Sequence, residues 1–276
     1  MSNRAKKSVI YWLLLSPLVV IILFPYAVML STALKPSGEI RSFPPSWIPD
    51  APRLQNFIDM WDAANFGTSL LNSLIVSGLA TMIAIALAIP AAYAMARYRF
   101  RGQGLYRQFL LVTQMLSPIV LVVGIFRLMA SVGLVDTLAS LIIAYSGFFL
   151  AFAVWLMQSY FSTIPLEVEE AAWVDGAGRW KTLLVIFLPM AVPAIVVTAI
   201  FTFINSYNEF VLALTLLRSS DNYTLPLQVY SLVGGRYRIE WEHVMAATLV
   251  ATIPVAVVFA WVQRYLIRGL SLGAVK

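Results

Sequence analysis

The sequence predicts an all-α membrane protein of six transmembrane helices with both termini in the cytoplasm. Three observations predict it. Hydrophobic residues fill 61% of the 276 positions and charged residues 12%, against about 25% charged in a soluble domain. The apolar residues gather into six runs long enough to cross a hydrocarbon layer. The basic residues divide unevenly between the two sides that those runs would separate.

The first run, Val9–Ser31, follows Arg4, Lys6 and Lys7. A signal peptide opens in the same way, but this run exceeds the usual signal core, which favours a retained anchor. Ser31-Thr32-Ala33 only weakly imitates a cleavage site. The second run, Ser69–Ala92, has alanines at 80, 84, 88 and 92, and Ala96 continues the spacing. Small residues at that interval let helix backbones pack closely in lipid. Pro90 predicts a kink near the inner end of this helix. The remaining runs are Arg107–Leu128, Leu138–Gln158, Phe187–Phe210 and Val244–Ile267.

With the N-terminus inside, twelve of the nineteen Lys and Arg residues fall inside and seven outside. The short loop from Arg97 to Arg107 carries four arginines and no acid. This bias sets the orientation, and it accounts for the +6 net charge without nucleic acid. Two long segments, Lys35–Thr68 and Leu214–His243, then lie outside. Each reads either as a connecting loop or as a surface for lipid or a partner.

Several chemistries are excluded. There is no Cys, hence no disulfide and no thiolate metal site. His243 is the single histidine, placed by the reading in a loop, so no histidine metal cluster or Ser-His-Asp set exists. The stretch Gly176–Thr182, GAGRWKT, lacks the Gly-Lys-Ser/Thr ending and the preceding strand of a phosphate loop. No catalytic or metal-binding residue is expected.

Polar residues inside an apolar run point to function, because lipid does not tolerate them. Asn205, Asn208 and Glu209 stand out near the end of the fifth run. Asn205 and Glu209 are four apart, which predicts a shared helix face with Asn208 beside it. That face either lines a polar path or joins helices. Asn72, Gln114 and Gln158 are weaker candidates. Arg127 reads as a snorkelling interface residue.

The stretch EEAAWVDGAGRWKTLLVIFLP, Glu169–Pro189, breaks the apolar pattern. Ile164-Pro165 can open a helix. Glu167, Glu169 and Glu170 then sit at the positive end of its dipole. Ala171 and Ala172 give it a face of little bulk, and Gly176 can close it in a left-handed cap. A second helical segment runs through Arg179-Trp180-Lys181 toward the fifth run. The result is a short acidic helix on the cytoplasmic side, which either docks into a partner or simply covers the surface.

The spacing within this stretch resembles the EAA loop of the permease subunits of binding-protein-dependent ABC importers. Glu170-Ala171-Ala172, then Gly176, Ile186 and Leu188-Pro189 meet that pattern at every position. Asn205–Phe210, NSYNEF, is similar to the W-N-E-F of the carbohydrate, maltose-type branch, with Tyr207 in place of Trp. Thr224–Pro226, TLP, and the ending Gln263–Lys276 also resemble that branch, and the likeness covers essentially the whole chain.

The resemblance implies a MetI-like permease fold that is not itself an enzyme. It implies a second homologous permease subunit, two copies of an ATPase subunit that bind ATP and Mg, and a periplasmic sugar-binding protein, all at a bacterial inner membrane. This chain would bind no cofactor of its own. Glu170, Ala171, Ala172, Asp175, Gly176, Ile186, Leu188 and Pro189 would couple to the ATPase. Asn205, Asn208 and Glu209 would line the sugar path. Val233, Gly234, Gly235 and Arg236 would face the binding protein, though an ordinary turn explains those glycines as well. The chain then divides into 1–34, an inner segment with the first span; 35–68, a periplasmic segment; 69–267, the permease core; and 268–276, a cytoplasmic tail. Within the core, 161–186 is the coupling loop and 211–243 a periplasmic loop. A secondary transporter is the rival reading; only Glu209 offers it a buried ionisable group.

Overall fold

The computed structural model describes residues 3–63, 65–234 and 239–273, with side chains described for 11–62, 65–234 and 239–263. Among the described residues every regular element is helical. In order these are α1 (Asn3–Ala33), α2 (Ser37–Ile40), α3 (Gln55–Ala63), α4 (Phe66–Arg97), α5 (Gln103–Met115), α6 (Pro118–Ser131), α7 (Leu138–Phe161), α8 (Leu166–Val174) and α9 (Arg179–Thr182). A π-helical turn, Leu183–Phe187, leads into α10 (Leu188–Met190), α11 (Val192–Tyr207), α12 (Val211–Leu216), α13 (Leu225–Ser231) and α14 (Trp241–Gly273). Among the described residues four helices, α1, α4, α7 and α14, are long and apolar enough to cross a membrane. Two bent pairs raise that number to as many as six if each pair is one span.

The first bent pair breaks the expected third run, Arg107–Leu128, into two helices. The chain turns through 102° between α5 and α6. Pro118 has no N–H to continue the ladder, and its ring drives the preceding residue, Ser117, out of the helical region. Ser117 accordingly sits at ψ 140°, and Leu116 before it is extended as well, at ψ 122°. The second bent pair turns through 77° at Ala191. There Pro189 and Pro193 remove two ladder donors four residues apart. Just before it, Leu188 donates to the Leu183 carbonyl, five residues back. By contrast, α4 runs through Pro90 without a break. His243 lies in the first turn of α14, not in a loop, with Nδ1 3.0 Å from Glu240 Oε2.

The chain forms two compact units. The first comprises Met1–Gly67 and Gln228–Ile253. Here the segment after α1 is held by specific bonds. Asn56 Nδ2 donates to the carbonyls of Ala33 and Lys35 at 2.8 and 2.9 Å, Arg41 Nη2 donates to Ile239 O at 3.0 Å, and the Ser37 hydroxyl donates to Glu242.

The second unit comprises Thr68–Leu227 and Pro254–Lys276. It has two hydrophobic clusters. One gathers Val76 and Ala80 of α4 with Leu141 and Tyr145 of α7 and Leu212 and Leu216 of α12. The other gathers Ala88, Ala92 and Tyr93 of α4 with Val154, Met157 and Phe161 of α7 and Phe187. Residue numbers rise together on α4 and α7 from one cluster to the other, so these two helices run parallel. The α5–α6 pair therefore carries the chain back along the length of α4. Ala194 of α11 lies in the second cluster and α12 in the first, so α11 runs antiparallel to α7.

The alanine stripe is the seam of this unit. Ala80, Ala84, Ala88 and Ala92 are all fully buried. A larger group there would have to displace packed neighbours, and overpacking of this kind destabilises by roughly 1–3 kcal/mol. Ala88→Leu should lower the melting temperature of the purified protein. A change of shape at exposed Leu87, Leu87→Ile, should not.

Asp136 ties the α6–α7 turn to the end of α12. It stands at φ +64°, a conformation that Asp tolerates better than most residues. Its carboxylate accepts from the Arg218 and Ser219 amides at 2.9 and 3.0 Å and from the Ser219 hydroxyl. The Ser219 hydroxyl, with those amides, holds the carboxyl well below the usual carboxylate range. A depressed value stabilises the fold fully above the unfolded-state pKa, near 3.9, and that contribution drains away as pH falls from there toward the lower folded-state value. Asp136→Asn should therefore melt lower than the native chain at neutral pH, and the gap should narrow below about pH 4. An equal gap at pH 7 and pH 3 would show that the charge contributes nothing.

Candidate functional site

The acidic stretch folds as its local chemistry dictates. Pro165 stands just before α8 in an extended conformation, and Glu167 and Glu169 fill the first turn. Gly176, at φ +78°, closes the helix. Ala177 N bonds to Ala172 O at 2.9 Å and Gly176 N to Trp173 O at 3.0 Å. This pair is the Schellman arrangement. A side chain at Gly176 would meet nothing within 4 Å, so backbone conformation alone calls for glycine there.

α8 has two faces. Glu170, Ala171, Trp173, Val174 and Asp175 are exposed, Val174 at 87%. Ala172 and Glu169 are buried, Glu169 at 2%. Ile186 and Leu188 are half-buried in the run that follows, and Pro189 is exposed. The EAA alanines therefore split: Ala172 seats the helix on its own chain and Ala171 points away. An exposed tryptophan and valine beside an acidic group make a surface fit for a partner.

Burying Glu169 requires partners for its charge. Tyr93 Oη of α4 donates to Oε1 at 2.5 Å. Arg97 Nε, one turn further along α4, lies 3.2 Å from Oε2, an ion pair rather than an aligned hydrogen bond. Arg97 Nη2 donates to Ile164 O at 2.6 Å, and its guanidinium stands 4.9 Å over the Phe187 ring. The sequence singles out Glu170 for the motif, places Glu169 only at the positive end of the helix dipole, and gives no sign of Tyr93. It marks Arg97 only as an inside charge. A polar cleft of about 740 Å³ lies beside α8, lined by Arg97, Arg99, Arg107, Gln158, Ser162 and Glu167. Gln158 belongs to this cleft.

The residues of the fifth run do not share one helix face. α11 ends at Tyr207 and Asn208 caps it, so Glu209 lies beyond the helix. Its carboxylate accepts from the amides of Leu212, at 3.0 and 3.1 Å, and Ala213, at 3.3 Å, at the start of α12. Tyr145 Oη of α7 donates to it at 2.7 Å. Glu209 is thus a helix cap and a tether. Asn205, which donates to Phe201 O at 2.6 Å, and Asn208 are exposed, together with Phe201. Thr202 and Ser206 turn inward on the same helix. Asn72 donates to the carbonyls of Asp221 and Tyr223 at 2.8 and 3.1 Å and serves the fold. Gln114 and Arg127 are exposed.

Of the glycine-containing outer segment, Val233 and Gly234 are half-buried just past α13. A Cβ on Gly234 would stand 3.0 Å from the Tyr230 ring and 3.3 Å from its carbonyl oxygen. The close approach there is to the preceding turn of the same chain. Gly235 and Arg236 lie outside the described residues, as do the side chains of the ending after Gln263.

Residues 84–272 match the family described as binding-protein-dependent transport system inner membrane component. The chain is 33% identical over 277 residues to the inner membrane ABC transporter permease protein YcjP of Escherichia coli, covering 100% of this chain and 99% of that one. It is 35% identical over 225 residues to the trehalose/maltose transport system permease protein MalG of Thermococcus litoralis, covering 81% of each. Among solved structures, a chain of a bacterial ABC transporter that imports the acidic polysaccharide alginate superposes with a TM-score of 0.78 at 23% identity, over 96% of this chain and 98% of that one.

Proposed function

The chain belongs to the binding-protein-dependent transport system inner membrane components, and from that membership we propose that it is the transmembrane permease subunit of an ATP-driven importer of sugars or sugar derivatives. The observation that carries the coupling role is the outward face of α8. Glu170, Ala171, Trp173 and Val174 are presented together while Glu169 and Ala172 hold the helix down. On this reading α8 docks in a cleft of an ATPase subunit, with Asp175, Gly176, Ile186, Leu188 and Pro189 shaping the loop. ATP and Mg belong to that subunit. The maltose-type relative supports carbohydrate as the cargo class.

In this reading each bent pair is one span, six in all, with both termini cytoplasmic. The parallel run of α4 and α7 supports it, because one returning span must separate two parallel ones. The exposed stripe Phe201, Asn205 and Asn208 supports a path shared with a second permease subunit. Amide side chains on a spanning helix are costly against lipid and suit sugar hydroxyls. Val233 to Arg236 face the periplasmic binding protein. The chain's segments are those set out above, 1–34, 35–68, 69–267 and 268–276, in a bacterial inner membrane.

The test is recovery of the tagged chain from native membranes in mild detergent, with partners identified by mass spectrometry. The expected partners are an ATPase, a second six-span permease and a binding protein, whose ligand then names the cargo. A chain that stays alone or homo-oligomeric after crosslinking would sink the reading. So would uptake that follows an ion gradient without ATP.

A further inference from the structure

We infer that Tyr93 and Arg97 are positioning residues that lock α8 to α4 through Glu169, so that a displacement of α8 is delivered to α4. The inference rests on the coupling role proposed for α8. It assigns the two adjacent glutamates opposite tasks. Glu170 faces outward, toward a partner, and Glu169 faces inward, toward the spans.

The geometry is that of a clamp. Both Glu169 oxygens are engaged, one by Tyr93 and one by Arg97. Arg97 also grips Ile164 O, in the hinge between α7 and α8. Its guanidinium covers Phe187, at the end of the π-helical turn. One side chain thus touches the segment before α8, α8 itself and the segment after it. Tyr93 continues the contact, with its ring edge-on to Phe161 of α7 at 6.4 Å and Phe187 at 5.1 Å. A rigid, buried contact of this sort transmits a push, whereas a lone surface helix would slide. Its partners are charged and desolvated, so the contact is made or broken rather than stretched.

The chain has no cysteine, so one introduced cysteine gives a single labelling site. A spin label on Leu166→Cys, exposed in the first turn of α8 and outside the docking face, reports whether the helix is held. Uptake and ATP hydrolysis measured in the same proteoliposomes, with the complete transporter and its binding protein, give transport per ATP. The variants are Glu169→Gln and the paired Arg97→Met with Glu169→Leu. The pair removes both charges together and so keeps the fold.

Both variants should assemble with the ATPase, free the label, and lower transport per ATP by roughly ten-fold, within the usual range of coupling between sites. An unchanged label spectrum would overturn the clamp. A freed label with transport per ATP unchanged would also overturn it, since the contact would then be glue. If the native chain itself shows no ATP-driven uptake, the permease reading fails and takes the inference with it. Native coupling with undisturbed variants removes the inference alone.

Discussion

Arg97→Met alone should destabilise the protein by about 3–5 kcal/mol, the cost of leaving one member of a buried ion pair without its partner. The carboxylate of Glu169 would keep Tyr93 but lose its counter-charge, in a place almost closed to water. Ile164 O would lose its donor at the same time. Adding Glu169→Leu should restore most of the loss, because an apolar pair of similar volume needs no compensation. Thermal unfolding followed by tryptophan fluorescence in detergent measures both. A single substitution no worse than about 0.5 kcal/mol, the range of surface changes, would mean that water reaches the pair and that the contact is not desolvated.

Glu209→Ala should be the second most damaging change, at about 2–4 kcal/mol. The estimate combines a lost helix cap, about 1 kcal/mol, with a buried tyrosine hydroxyl left unmet, about 1–3 kcal/mol. Tyr145 is wholly buried, and its hydroxyl bond to Glu209 would have no replacement. Glu209→Gln keeps a carbonyl acceptor and should retain most of the stability. If Glu209 instead acts in the path, the order reverses. Glutamine would then lower uptake with no change in melting temperature, and alanine would melt like the native chain.

The helical class, the apolar runs and the acidic loop were legible because each depends on local composition and spacing. The helix cap at Gly176 was legible for the same reason. The fold at Pro118 was not. Hydropathy registers that Arg107–Leu128 is apolar, and nothing in it records the direction of the chain, although the Ser-Pro step marks where the ladder must stop. The roles of Glu169 and Glu170 were equally hidden. The two are neighbours of one kind, and only the rotation of α8 against α4 decides which is buried. Glu209 was read on the face of Asn205 because NSYNEF contains no breaker. The helix ends at Tyr207, and the Glu209 carboxylate is taken up by the start of α12, a local cap, and by Tyr145, a contact across sequence that no periodicity encodes.

The π-helical turn at Leu183–Phe187 carries one residue more than an α-ladder over the same rise. That surplus is slack. Removing one of the five residues would let an α-ladder run straight through over nearly the same rise and rotation, so α9 would keep its bearing against Leu188-Pro189. A residue added to an α-helical segment beside the turn has no such slack and would rotate α9 by about 100°. The loop carried by α9 would swing with it, taking the outward face of α8 off its bearing even with every residue of that face intact. Exposed Leu184 and Val185 should exchange freely for other apolar residues, and a deletion inside the turn should be tolerated better than an insertion beside it.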